Sequence, residues 1–192
     1  MRRLAALAAT ALVATACATV PEAPVVVPDY VTSPASCALV LGGGGTVFPD
    51  ERMAQAWRKI DGIFTDAAAA ELSRLGYKVE QAMSDATTGA ERGRAAAVEL
   101  ARHQCNRVVQ LGHFVEGEPG AMKFGFNASV LVPDAAKARR TAGGITYPFE
   151  QTYAKRYTYD LTSEMMDRLS PSAVGREAAA DLDRAAVLTG RK

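Results

Sequence analysis

The sequence has little excess charge and few residues of the kinds that build metal or nucleic-acid sites. It holds 22 basic and 21 acidic residues, a formal net charge of +1, which gives no electrostatic case for binding nucleic acid. His103 and Cys105 offer two neighbouring soft ligands, whereas a structural zinc needs about four at recognisable spacing. We therefore expect no metal, no other cofactor and no nucleic-acid partner.

The sequence also lacks the signatures of nucleotide binding and hydrolysis. Gly42–Gly45 follow a predicted strand, but Val47 stands where a dinucleotide fingerprint needs its third glycine, and no Gly-Lys-Ser/Thr occurs. No Gly-x-Ser-x-Gly elbow occurs either. We expect His103 to cap a helix or lie on the surface, and His113 to face solvent. The prediction is a protein that is not an enzyme.

No apolar run in the sequence is long enough to cross a bilayer. The largely apolar run Leu4–Ala16 has 13 residues and would reach about 20 Å as a helix, against the ~30 Å of the hydrocarbon core. It follows the basic start Met1-Arg2-Arg3. A short apolar core after a basic start is typical of an export signal, so we assign residues 1–16 as a signal peptide.

Cys17 is the predicted site of lipid attachment. The stretch Ala14-Thr15-Ala16-Cys17 resembles the lipobox of bacterial lipoproteins, in which the cysteine is acylated and becomes the new amino terminus. Because Ala18 rather than aspartate follows it, the resemblance implies a lipid anchor in the outer membrane, facing the periplasm. Ala14 and Ala16 also fit an ordinary secretory cut, so a soluble periplasmic or secreted protein is the alternative.

Residues 17–36 form a predicted tether, and residues 37–192 a single folded domain. Proline fixes φ and biases the preceding residue to extended backbone, so the segment should act as a semi-rigid spacer. The alternative is a disordered terminus with no mechanical role. The prolines of this segment are Pro21, Pro24, Pro28 and Pro34.

The apolar periodicity predicts an α/β (α+β) domain with a three-layer-like βαβαβ core. In this core strands alternate with helices, which implies parallel strands joined by right-handed crossovers. An antiparallel hairpin and C-terminal helices are added to it. The predicted elements are strand 38–41, a helix from Pro49-Asp50 to the C-cap Gly76, strand 77–80, helix 88–104, strand 107–115, strand 122–132, a partner strand from Ile145 to about Asp160, a helix from Thr162 and a helix capped by Ser170.

Cys37 and Cys105 each stand just before a predicted strand. If the two strands are parallel neighbours, the two thiols lie together at the starting ends. In an oxidising periplasm we then expect a disulfide, which should stabilise the fold by roughly 4 kcal/mol in the chain-entropy model. The alternative is two separate buried thiols.

Aromatic residues crowd near the end of the hairpin and form the candidate partner surface. Tyrosine combines an apolar ring with a polar tip, which suits binding surfaces, but such residues also suit cross-strand packing in a core. Basic residues of the preceding connection are added to this surface, with solvated loop positions as the alternative. The residues are Tyr147, Phe149, Tyr153, Tyr157, Tyr159, Lys137, Arg139 and Arg140.

The segment 38–132 resembles a group of small envelope modules. The resemblance rests on Leu72-x-x-Leu75-Gly76-Tyr77-x-Val79, followed by a helix and a valine-rich strand. These features are similar to the amino-terminal domain of TolB and to lipoproteins that activate penicillin-binding proteins or line the curli secretion channel. The resemblance implies a non-catalytic, lipid-anchored module that binds another envelope protein. The alternative is a periplasmic small-ligand or glycan-binding protein, or an enzyme, that uses a cleft near Gly42–Gly45.

Overall fold

The computed structural model describes residues 35–118, 120–137, 139–141, 144–146 and 148–191. The predicted signal peptide, Cys17, most of the tether and Tyr147 lie outside the described residues. None of the described helices is long and apolar enough to cross a membrane. The elements are β1 (Ala35–Gly42), α1 (Glu51–Arg74), β2 (Val79–Met83), α2 (Gly89–His103), β3 (Cys105–Glu116), β4 (Lys123–Pro133), β5 (Arg139–Thr141), β6 (Gly144–Thr146), β7 (Phe149–Asp160), α3 (Ser163–Arg168) and α4 (Pro171–Arg184).

Five strands form one mixed sheet in the order β2-β1-β3-β4-β7. β1 runs parallel to β2 and β3, while β4 runs antiparallel to β3 and β7. The α/β (α+β) class is therefore confirmed. The partner strand does not begin at Ile145, because residues 144–146 pair with β5 in a separate two-stranded sheet. Pro148 separates the two sheets in the chain, since proline has no N–H to donate to a ladder.

The local sequence sets both ends of α1 as predicted. Asp50 caps the start, and its side chain accepts a hydrogen bond from the first turn. At the other end Gly76 has φ +95°, the left-handed conformation that glycine adopts at low cost. The N–H of Gly76 donates to Ser73 and that of Tyr77 donates to Leu72. This Schellman pattern satisfies the last carbonyls and turns the chain toward β2.

The starts of the other three helices also follow predicted residues. Thr88 forms a capping box with Glu91 at the start of α2, Thr162 caps α3, and Ser170 caps α4 with Pro171 at the first helical position. Each of the three capping hydroxyls accepts a backbone hydrogen bond from the first turn, which satisfies a donor that the helix itself leaves unpaired.

The two faces of the main sheet carry different apolar layers. On the α1 face, Phe64 and Leu72 of α1 pack with Phe126 of the sheet and with α4, whereas on the α2 face Leu100 of α2 packs on Leu39. Met53 lies near the start of α1 and is 49% exposed, because the burial of α1 begins one turn later, at Trp57. Ala185 is exposed, since it caps α4 beyond Leu182, the last buried residue of the helix.

A disulfide joins Cys37 to Cys105 on the α2 face. Their Cα atoms lie 4.8 Å apart at the starting ends of β1 and β3, and both residues are fully buried. The predicted pairing and its cause, two parallel neighbouring strands, are therefore both present. With a sequence separation of 68 between the cysteines, the bond should stabilise the fold by about 4 kcal/mol.

Candidate functional site

A cleft opens at the carboxyl ends of β1 and β2. The loop after β1 leads to α1 on one face of the sheet, and the loop after β2 leads to α2 on the other. Loops that diverge from neighbouring parallel strands leave a crevice between them, the usual ligand position in open α/β sheets. The crevice encloses about 340 Å³ and includes Gly43–Gly45, where the sequence placed a cleft. We call it the loop cleft.

The glycine run of this cleft is explained by close backbone approach. Gly43 and Gly44 have φ values of +90° and +72°. A Cβ atom on Gly43 would lie 2.4 Å from the carbonyl oxygen of Ser84, and one on Gly44 would lie 2.4 Å from that of Ala86. Side chains would therefore push the two loops apart, which accounts for the glycines without a bound phosphate.

Thr46 closes the edge of β3 beside the cleft. β3 extends past its last pairing with β1, so its edge has no strand neighbour on that side. The Thr46 hydroxyl accepts a hydrogen bond from the Val115 N–H at 2.7 Å and donates to the Val115 carbonyl at 3.3 Å. One side chain thus replaces the neighbouring strand and fixes the loop against β3.

His113 forms the floor of the loop cleft together with two aromatic rings. It is 6% exposed, and its ring stacks on Trp57 and Phe48 with centroid distances of 4.6 and 5.7 Å. The prediction that His113 faces solvent is therefore wrong. Alternation along β3 could not reveal this burial, because the covering groups come from the loop after β1 and from α1.

A buried carboxylate fixes the His113 ring. The Asp61 Oδ2 atom lies 2.8 Å from His113 Nδ1, and Asp61 is only 2% exposed. Burial raises the pKa of Asp61, and the hydrogen bond with His113 opposes that rise. His113 Nε2 lies 3.4 Å from the Thr46 carbonyl oxygen. Two net-neutral proton arrangements suit both contacts, a protonated Asp61 with neutral His113 or a carboxylate with an imidazolium.

The mouth of the loop cleft exposes large apolar side chains inside a charged border. Val47 is 66% exposed and Met83 is 49% exposed, and both line the cleft. Glu51 and Arg58 form an exposed ion pair at 2.7 Å on one side, and Asp85 lies on the other loop. The site therefore combines an apolar mouth, an aromatic floor and charges of both signs.

Sequence reasoning missed Trp57 and Asp61 as parts of this site. A signal existed, because Asp61 stands on the apolar stripe of α1, four residues after Trp57 and three before Phe64. A carboxylate on the buried face of a helix requires a partner. His113 was available as that partner in β3.

The predicted aromatic surface is built largely into the core. Tyr157 is 6% exposed, and its hydroxyl donates to Asp181 of α4 at 2.7 Å. Burial, followed by that hydrogen bond, raises the pKa of Tyr157. Lys155 also donates to Asp181. Burial excludes Tyr157 from a partner-facing surface. Tyr159 packs on Phe124 at a centroid distance of 5.6 Å.

The other described surface residues lie in the main sheet, in a short turn of helix and in the two-stranded sheet. Tyr153 packs against the core of the main sheet, while Phe149 lies with the apolar cluster on the α2 face. Lys137 pairs with Asp134 at 2.7 Å. Arg139 and Arg140 belong to β5 in the two-stranded sheet. A partner bound at these residues stays a prediction.

His103 lies beside two glutamates near the end of a helix. His103 lies in the last turn of α2, where its ring nitrogens approach Glu80 at 3.4 Å and Glu99 at 3.6 Å. Across the part of the chain that the structure describes, no three His, Cys, Asp or Glu side chains come together as metal ligands.

Comparison with known proteins finds likeness in structure alone. No family model matches the chain, and no curated protein matches it. The PelC dodecamer from Paraburkholderia phytofirmans aligns with a TM-score of 0.34 at 18% identity, over 83% of this chain and 96% of that one. Lipoprotein GNA1162 from Neisseria meningitidis aligns with a TM-score of 0.35 at 14% identity, over 80% and 98%. The second of these similar proteins is a lipoprotein.

Proposed function

We propose that this protein is a non-catalytic module of the cell envelope that binds a polypeptide partner through the loop cleft. In this proposal Cys17 carries the lipid that anchors the chain in the outer membrane, and the domain faces the periplasm. The short apolar run 4–16 and the position of Cys17 directly after Ala16 support the anchor. The partner is another exported protein.

The exposed pair Val47 and Met83 at the mouth of the loop cleft is the observation that carries the proposal. Exposed apolar groups at a concave site favour contact with another molecule over solvent. Methionine is unbranched and polarisable, so it adapts to the shape of an incoming side chain. The cleft volume of about 340 Å³ suits an anchor side chain of a partner.

The charged border favours a polypeptide with charges of both signs. Glu51 and Arg58 are exposed on one rim, and Asp85 stands on the opposite loop. Rim charges contribute more to orientation and association rate than to affinity. The apolar mouth should supply the binding energy, and the border should select the direction in which a segment lies.

The geometry of His113 supports a non-catalytic role. A general base needs a ring nitrogen within reach of a substrate proton. His113 Nδ1 lies 2.8 Å from Asp61 Oδ2 and Nε2 lies 3.4 Å from the Thr46 carbonyl oxygen, so both nitrogens already face protein oxygens. The ring also stacks on Trp57. With these three contacts, His113 serves as a structural part of the cleft floor.

In-cell photo-crosslinking tests the partner site. A photoreactive amino acid at Met83 or at Val47 should capture the same exported protein in intact cells. Ile63 is the matched control, because it is 49% exposed, as Met83 is, and lies on α1 outside the cleft. The proposal fails if the cleft positions capture nothing, or only what Ile63 captures.

Binding of the purified partner then tests the contribution of each side chain. The variants Met83→Asp and Val47→Asp should each weaken binding by roughly tenfold or more, because a carboxylate would be desolvated against an apolar contact. Ile63→Asp should leave the affinity within about twofold. Equal losses for all three variants would show that the cleft is not the contact site.

The anchor has its own test. Mass spectrometry of the mature amino terminus should find a diacylglyceryl group on Cys17. An unmodified mature chain would refute the anchor while leaving the crosslinking result at Met83 unaffected.

A further inference from the structure

A second concave site lies on the α2 face of the main sheet. A groove of about 430 Å³ runs between the start of α2 and the strands β4 and β7. We call it the sheet groove. Its polar and charged lining includes Arg92, Gln110, Asn127, Ser129 and Arg156.

The floor of the sheet groove is built from polar side chains that have no hydrogen-bond partner among the described residues. Gln110 of β3 stands opposite Ser129 of β4, and Asn127 stands opposite Gly112 in the same ladder. All three polar side chains are half-buried. Their side chains form no hydrogen bond with any residue that the structure describes. Half-buried donors and acceptors without partners favour a ligand that supplies them.

The charge of the sheet groove is positive. Arg92 forms no ion pair within the described part of the chain. Arg156 pairs with Glu116 at 2.8 Å while its guanidinium lies 3.8 Å from the centre of the Phe114 ring. No Asp or Glu is among the described residues that line the groove. An anionic group is therefore the complementary charge, and guanidinium groups bind carboxylates with paired hydrogen bonds.

Glycines leave the helical wall of the groove without side chains. Gly89 and Gly93 stand one turn apart on α2 and line the groove. A Cβ atom at either position would meet no atom within 4 Å, so both positions face open space. Larger residues there would fill the groove.

We propose that the sheet groove binds a small hydroxylated carboxylate, either a sugar acid or an open-chain hydroxy acid. The carboxylate lies against Arg92, and the hydroxyl groups bond to Gln110, Asn127 and Ser129. The volume is within the range of small-molecule sites. The described lining of the sheet groove shares no residue with that of the loop cleft, so a variant in one lining tests one proposal at a time.

Titration of the full chain in detergent tests the site with three probes. D-glucuronate carries one carboxylate and several hydroxyl groups, malate carries two carboxylates and one hydroxyl group, and D-glucose offers hydroxyl groups without the charge. Calorimetry should detect binding of at least one acid, and the NMR signals of the Gln110 and Asn127 side-chain amides should shift. D-glucose should bind at least about tenfold more weakly, because charged hydrogen bonds are the stronger ones. Which acid binds identifies the source of the carboxylate.

Three variants locate the binding. Gly93→Leu should abolish it by filling the groove, and this variant should fold, since leucine favours a helix over glycine. Gly62→Leu is the control, because Gly62 is also helical with open space at its Cβ but lies outside the groove. Arg92→Gln should weaken binding by about tenfold or more.

Two results would overturn the proposal. One is no heat and no amide shift with either acid up to about 10 mM, the range of very weak binding. The other is binding that survives Gly93→Leu unchanged. Neither result touches the loop cleft, because crosslinking at Met83 should be the same in the Gly93→Leu variant as in the original chain.

Discussion

The two faces of the main sheet differ in whether their polar side chains have hydrogen-bond partners. On the α1 face, which α1 and α4 both cover, the buried carboxylates have partners: Asp61 holds His113, and Asp181 receives Tyr157 and Lys155. On the α2 face, Gln110 and Asn127 are half-buried beside the sheet groove and contact no polar partner among the described residues. Burial makes an unpaired polar group costly, so each buried carboxylate of the covered face has at least one partner, although Asp61 Oδ1 and the Thr65 hydroxyl have none among the described residues. The polar side chains of the open face remain available to a ligand.

The covalent link also belongs to the less covered face. The Cys37–Cys105 disulfide lies in the apolar cluster of the α2 face, which is smaller than that of the α1 face. The double variant Cys37→Ala with Cys105→Ala should therefore lose about 4 kcal/mol of unfolding free energy, because the unfolded chain regains its freedom. Urea unfolding measures the loss. A loss below about 1 kcal/mol would mean that the α2 face is stable without the bond.

The next largest effect is expected from the paired carboxylate of the α1 face. Asp181→Ala removes the acceptor of Tyr157 and Lys155, and Tyr157 stays buried with an unpaired hydroxyl. We expect a loss of about 2 kcal/mol in unfolding free energy. Tyr157→Phe with Asp181→Ala should recover part of it, since the buried hydroxyl is then gone. Equal stability of Asp181→Ala and the original chain would contradict the division between the faces.

The two carboxylates of the α1 face should respond to pH with opposite sign. Burial raises the pKa of Asp61 in the folded chain. Asp61 therefore stabilises the fold at a pH below about 3.9, the ordinary pKa of an aspartate, and this stabilisation is lost as the pH rises through the pKa of Asp61 in the folded chain. Burial works against ionisation of Asp181 too, but hydrogen bonds from Lys155 and Tyr157 lower its pKa. Asp181 therefore stabilises the fold at a pH above about 3.9, and this stabilisation is lost as the pH falls through the pKa of Asp181 in the folded chain.

Asparagine variants measure these two contributions. The stability of the original chain relative to Asp61→Asn should fall as the pH is raised from about 3 to about 7, whereas its stability relative to Asp181→Asn should rise. Urea unfolding across this range gives both slopes. Slopes of the same sign would mean that one of the two carboxylates has a different partner in solution.

The smallest effect is expected on the open face. Asn127→Ala and Gln110→Ala should each change the unfolding free energy by no more than about 0.5 kcal/mol, because neither side chain has a hydrogen-bond partner among the described residues. Thermal unfolding is sensitive enough to compare them with Asp181→Ala. Losses as large as that of Asp181→Ala would show that these amides hold the fold.

Local chemistry made most of the fold predictable. Thr88, Ser170 and Gly76 marked helix ends because capping depends on a few neighbouring residues. The disulfide followed from two short strands with a cysteine before each, once the alternation of strands and helices implied a parallel pair. The helix from Thr162 was also correct, since Thr162 caps α3.

The loop cleft was less predictable because its floor is assembled from distant parts of the chain. His113 lies in β3, Trp57 in α1 and Phe48 in the loop between β1 and α1, and no pattern along β3 shows that the other two cover it. Tyr157 was ambiguous for a similar reason. Only the docking of α4 brings Asp181 to its hydroxyl.

The position of the disulfide determines how the domain bears a mechanical load. Tension applied through the residues before Ala35 enters at the first residue of β1, two residues ahead of Cys37. The covalent bond passes that tension to β3 before the hydrogen bonds of β1 can be unzipped one after another. When the chain is pulled from its amino terminus, β1 and β3 should therefore bear the force together. After reduction of the disulfide, the same force should separate β1 from the sheet by itself.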